Sequence, residues 1–165
     1  MRRLPSLGAA IISGILVLTG CSASDSGDSF TVIQDVPVLV DHPNRDLKGR
    51  IGAVLFFGAV LRDQGGQQIG KVVGEIVTVD VDVDGVSDED RFRKLAFNFD
   101  DGQIIALGSS EYVGSDDEQT NFARNNAPVT AVVVGGTDQY QGVSGVVITT
   151  KLADGTYEHN FQLQE

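Results

Sequence analysis

From residue 30 to its end the chain is cut into short runs of Val, Ile, Thr and Phe, each closed by Gly, Asp or Asn. Nothing in that stretch keeps the apolar spacing of an amphipathic helix. Runs of this kind, bounded by turn residues, are strands. The pattern predicts eight, over 30–40, 49–61, 69–82, 91–99, 103–111, 128–134, 143–152 and 156–164. Asp63-Gln64-Gly65-Gly66, Asp100-Asp101-Gly102 and Asp154-Gly155 supply hairpin chemistry, because Gly accepts positive φ and Asp bonds its own backbone. Two longer connections carry charge, Asp84–Asp90 and Val113–Ala127, the second with a predicted helical turn near Asn121–Asn125.

Eight short antiparallel strands build a barrel or a sandwich. The last strand separates cleanly into two faces. Tyr157, His159, Phe161 and Leu163 share one, while Thr156, Glu158, Asn160, Gln162 and Gln164 share the other. Strand 91–99 likewise puts Arg93, Leu95, Phe97 and Phe99 on one side. Strand 49–61 is apolar on both faces and predicts cover on both. Residues 30–40, a neighbouring subunit, or both together would supply it. Pro37 has no N–H for a ladder and places its segment at an edge or a bulge.

Three stretches carry a family resemblance. They are Leu61-Arg62-Asp63-x-x-Gly66-x-x-Ile69-Gly70, then Asp101-Gly102-Gln103-Ile104 followed by Gly108, and Gly135-Gly136-Thr137-x-x-Tyr140-x-Gly142-x-x-Gly145. From about residue 47 onward the chain resembles the allene oxide cyclase/dirigent-type barrel superfamily, which usually has glycine where Asp138 stands. The resemblance implies an all-β, eight-stranded antiparallel barrel, often a homotrimer, with a mostly apolar interior that has room for side chains or for one small apolar molecule. It does not extend to the plant cyclase site. The acid and amide of that site match Gly58 and Val60 here, and its Ser-Pro matches Gly66-Gln67. Read physically, Gly135-Gly136 predict a tight reversal at the barrel rim, with Tyr140 plugging that end.

The amino terminus gives an address. Met1-Arg2-Arg3, an apolar run from Leu7 to Leu18 and then Leu18-Thr19-Gly20-Cys21 have the form of a secretory signal ending in a cysteine. This resembles the lipobox of bacterial lipoproteins, which implies acylation of Cys21 and attachment to the outer face of a cell membrane. The apolar run is too short to span a bilayer, which takes about 20 residues. The expected organisation is a signal peptide over 1–20, a Ser- and Asp-rich tether over 21–29 and a barrel domain over 30–165. Loss of residues 1–20 would leave 10 basic against 23 acidic side chains, a net charge of −13. So acidic a body repels nucleic acid and anionic lipid, and acyl chains would do the anchoring.

Few residues offer chemistry. Asp80-Val81-Asp82-Val83-Asp84-Gly85 begins like a calcium loop, yet Arg91 stands where a bidentate Glu belongs, so a solvated hairpin is the simpler reading. His42 and His159 are too far apart in sequence, with no second cysteine, for a zinc pattern, and no metal or cofactor is expected. Asp116-Asp117-Glu118 reads as a solvated loop. The candidate ligand-binding residues are Glu75, Arg93, Tyr157 and His159. Tyr157 and His159 face the dry side, either as a proton donor and acceptor in a pocket or as satisfied core residues. Glu75 and Arg93 either pair inside, as the polar part of a pocket, or both lie at the rim or outside. Three functions follow: a tethered binder of a small apolar molecule, a cyclase or isomerase working in the barrel, or a structural envelope protein acting through its surface.

Overall fold

The computed structural model describes residues 27–40, 52–79, 89–112 and 127–164. Nine strands lie among them: β1 (Ser29–Gln34), β2 (Val38–Leu39), β3 (Val54–Arg62), β4 (Gln68–Thr78), β5 (Glu89–Phe99), β6 (Gly102–Tyr112), β7 (Pro128–Asp138), β8 (Ser144–Lys151) and β9 (Tyr157–Gln164). From β3 to β9 each strand lies antiparallel beside the next. β1 then pairs with β9 along one edge and with β3 along the other. Eight strands, β1 and β3 to β9, thus close into an antiparallel barrel.

Closure is made by one interrupted segment. β1 meets β3 at Ile33↔Arg62 and Gln34↔Leu61, and β2 resumes the same edge at Val38↔Gly58 and Leu39↔Phe57. Across the interruption the Asp35 N–H donates to the Val60 carbonyl at 2.9 Å, and beyond β2 the Val40 N–H donates to that of Phe56 at 2.9 Å. Pro37 falls in the gap, where no ladder bond is required of it. The Arg62 guanidinium clamps the seam, with Nε donating to Asp35 Oδ1 at 2.9 Å and Nη2 to Oδ2 at 2.8 Å. The single strand expected over 30–40 is therefore two strands. It also extends the sheet at the edge of β3 and does not cover its outer face. The open edge of β3 needs hydrogen-bond partners more than its outer face needs apolar cover. That face stays accessible, with Phe56 37% and Val38 73% exposed.

Period-two alternation decides what points inward. β9 alternates buried and accessible along its length, and Tyr157, His159, Phe161 and Leu163 are its buried set. At one end of the barrel the interior is aromatic. Phe161 is fully buried, stacks on Phe30 at 4.7 Å and meets Phe97 edge-on at 4.9 Å. Phe99 and Tyr140, 5.5 Å apart, complete the plug. The short turns after β3, β5 and β7 all lie at this end, and the longer connections after β2, β4 and β6 leave from the other.

Gly135-Gly136 do not reverse the chain. β7 runs on to Asp138 through a register shift opposite Ile105 and Ala106, and the reversal falls at 139–143. The glycine serves a close approach: a Cβ on Gly136 would lie 2.6 Å from the Tyr140 Cβ. Asp138 adopts φ +53°, the left-handed conformation natural to the glycine of resembling barrels. Burial, and then the charge of Asp101, push the Tyr140 pKa up to about 12. Phe161→Ala should cost about 3–5 kcal/mol of unfolding free energy, since it opens a cavity among the rings of Phe30, Phe97 and Phe99. Chemical denaturation of the two proteins measures the difference.

Candidate ligand site

Toward the end with the longer connections the inward face turns polar. The same alternation that places Phe99, Phe97 and Leu95 inside on β5 continues to Arg93 and Arg91. On β8 it runs from Val147 to Thr149 and Lys151, and on β9 from Phe161 to His159 and Tyr157. β1 adds Gln34 and β4 adds Thr78. Gln34, Thr78, Arg93, Thr149, Lys151, Tyr157 and His159 are all buried. An apolar barrel whose inward face ends in a few buried polar groups has the lining of a small-molecule site.

His159 is committed at both nitrogens. Thr149 Oγ1 lies 2.9 Å from Nδ1, and Gln34 Oε1 lies 2.9 Å from Nε2. The bonds assign the tautomer: Nε2–H donates to the amide oxygen, and the Thr149 hydroxyl donates to Nδ1. The ring also stands edge-on to Phe97 at 4.9 Å. Burial, and then the charge of Arg93, push its pKa down to about 3, so the imidazole is neutral. With each nitrogen bonded inside the core, it is a satisfied core histidine holding β1, β8 and β9 together.

Arg93 is in the opposite condition. It is 9% exposed, and neither Nε nor Nη2 has a hydrogen-bond partner among the described residues. Burial lowers its pKa. Its register partners are Ile76 on β4 and Gly108 on β6, neither of which can accept a bond through a side chain. Glu75 does not approach it. Glu75 lies on the outer face, opposite Lys94, with Oε2 2.9 Å from the ammonium. The inward Glu75–Arg93 pair is thus corrected: the two residues occupy opposite faces of the wall, because residue 75 is in register with residue 94 and not with 93.

Gln34, Thr78, Thr149 and Lys151 join the site without having been singled out from sequence. Lys151 was legible in principle, since it shares parity with Val147 and Thr149. Gln34 was not, because its partner lies 125 residues away. Cys21, His42, the Asp80–Gly85 run and Asp116–Glu118 lie outside the described residues. A depression of about 230 Å³ lined by Gly27, Ser29, Gln162, Leu163 and Gln164 lies at the aromatic end, away from these groups.

His159 predicts an acid sensitivity. Its folded pKa lies below its unfolded one of about 6.5, so on acidification the unfolded chain takes up a proton that the folded barrel refuses. The stability tied to this residue is complete above pH 6.5 and falls by about 1.4 kcal/mol per unit below it, until the folded ring titrates near 3. Denaturation of wild type and His159→Gln from pH 7.5 to 4.5 should show the wild-type advantage shrinking as pH drops. A gap independent of pH would contradict a neutral, buried ring.

No protein-family model matches the chain, and no curated protein matches it. Solved structures do. A pyocyanin demethylase superposes with TM-score 0.60 and 20% identity, covering 83% of this chain and 100% of that one. A Diels–Alderase from Streptomyces koyangensis gives TM-score 0.59 and 15% identity over 87% of this chain and 71% of its own. A pterocarpan synthase dirigent protein gives 0.54 and 13%, with 83% of each chain covered. The chain shares its barrel fold with these cyclase and dirigent barrels.

Proposed function

We propose that the chain is a lipoprotein tethered through Cys21 to the outer face of a cell membrane, with a barrel that binds one small apolar or amphipathic molecule. The observation that carries this reading is the unequal lining of the barrel. One end is closed by Phe30, Phe99, Tyr140 and Phe161, while the inward face at the other converges on Arg93, Lys151, Thr149 and Tyr157. A wholly structural barrel gains nothing from a buried cation with unpartnered nitrogens such as Arg93, which costs desolvation. The outer apolar strip of Val38, Phe56 and Val73 supports assembly with further copies of this chain, as a homotrimer.

A second reading is favoured by the fold shared with a Diels–Alderase. A cycloaddition moves no proton, so a barrel can promote it by folding its substrate into a reactive shape. A proton-transferring cyclase built on His159 is the weaker form, because both ring nitrogens are already bonded.

Native mass spectrometry of the full chain expressed in a bacterium tests the proposal with three readouts. The chain should begin at an acylated Cys21, assemble as three copies, and release a small molecule on unfolding. Cys21→Ser should move the protein from the membrane fraction to the soluble one. An unchanged released molecule marks a binder, and conversion of an offered polyene marks a cyclase. A barrel that carries no adduct and takes up no apolar probe would remove the binding reading.

A further inference from the structure

We propose that Arg93 receives the carboxylate of the bound molecule on its Nε–Nη2 edge, so that the ligand is a small organic acid with an apolar body. The proposal rests on the barrel-binding reading above and names the class of ligand.

The chain supplies its own example of the geometry. Arg62 holds the Asp35 carboxylate with Nε on one oxygen at 2.9 Å and Nη2 on the other at 2.8 Å. These two nitrogens present parallel N–H bonds at the spacing of a planar carboxylate. In Arg93 the same two nitrogens point into the barrel, are buried, and have no partner among the described residues. A guanidinium kept charged in such a place calls for an anion.

The neighbourhood agrees in sign. The chain carries 23 acidic side chains, and yet the charged side chains that the barrel is seen to bury, Arg93 and Lys151, are both cationic. Arg91 has its Nε buried on the same face of β5. His159 cannot serve as the acceptor, since its one unprotonated nitrogen is bonded to Thr149. The side chains beneath, Leu95, Phe97 and Phe161, are apolar, so the body of an acid bound at Arg93 would meet an apolar lining.

Calorimetric titration of the full chain with 1-naphthoate and 1-naphthamide isolates the charge, because the two probes share ring and shape. Wild type should bind the acid about tenfold or more tightly than the amide. Arg93→Met should abolish that preference, bringing the acid down to the affinity of the amide. Arg93→Lys, which keeps the charge and loses the fork, should retain only part of the preference. The unliganded Arg93→Met protein should also melt above wild type, since it removes a buried charge that has no partner. Equal binding of acid and amide by wild type overturns this inference alone. So does full preference in Arg93→Lys, or a lower melting temperature for Arg93→Met, which would reveal a counter-charge within the chain. Failure of both probes to bind any of the proteins removes the barrel-binding reading as well.

Discussion

The whole interior depends on one seam. Seven consecutive strands, β3 to β9, pair by simple antiparallel neighbours, and such a sheet would leave two open edges. Residues 29–40 join them, pairing β1 with β9 over six residues and with β3 over two before β2 takes over. The Asp35–Arg62 fork sits where that ladder changes hands. Only a closed wall excludes water well enough to bury Phe161 completely, to hold His159 neutral and to depress the pKa of Arg93.

Within that wall the two ends do different work. The aromatic end supplies stability through rings in stacked and edge-on contact, backed by tight turns. The polar end works against stability unless each group is answered. His159, Thr149 and Gln34 answer one another across three strands, and in doing so tie the closing segment to β8 and β9. Arg93 is not answered by any described residue. The two buried groups thus differ in kind: His159 is satisfied within the fold, and Arg93 keeps two buried nitrogens without a hydrogen-bond partner. Unanswered buried charge of this sort is where a protein gives up stability for recognition.

The strands and their faces were legible in sequence because alternation is a local property. Tyr157, His159, Phe161 and Leu163 read as a dry face and form one. The resemblance to dirigent-type barrels, carried by glycine-bearing turns, pointed to closure where alternation alone allowed a sandwich. What sequence could not supply was register and seam. The break at Asp35–Pro37 follows from how a strand must bend to serve β9 and then β3, a constraint with no local signature. The bulge at Gly135 moved a reversal by several residues, because Tyr140 needs the surface above Gly136. Glu75 and Arg93 looked like partners because both interrupt apolar runs. Pairing across the connection from β4 to β5 puts them on opposite sides of the wall.

The point where the chain enters the barrel has a directional consequence. β1 begins at Ser29, beside the aromatic plug. Were the anchor at Cys21, eight residues at about 3.4 Å each would separate lipid from strand. The aromatic end would then lie nearer the bilayer, and the end that buries Arg93 and Lys151 would lie roughly 25 Å further from the headgroups. That polarity would turn the buried cations away from the lipid and set the aromatic plug between the two.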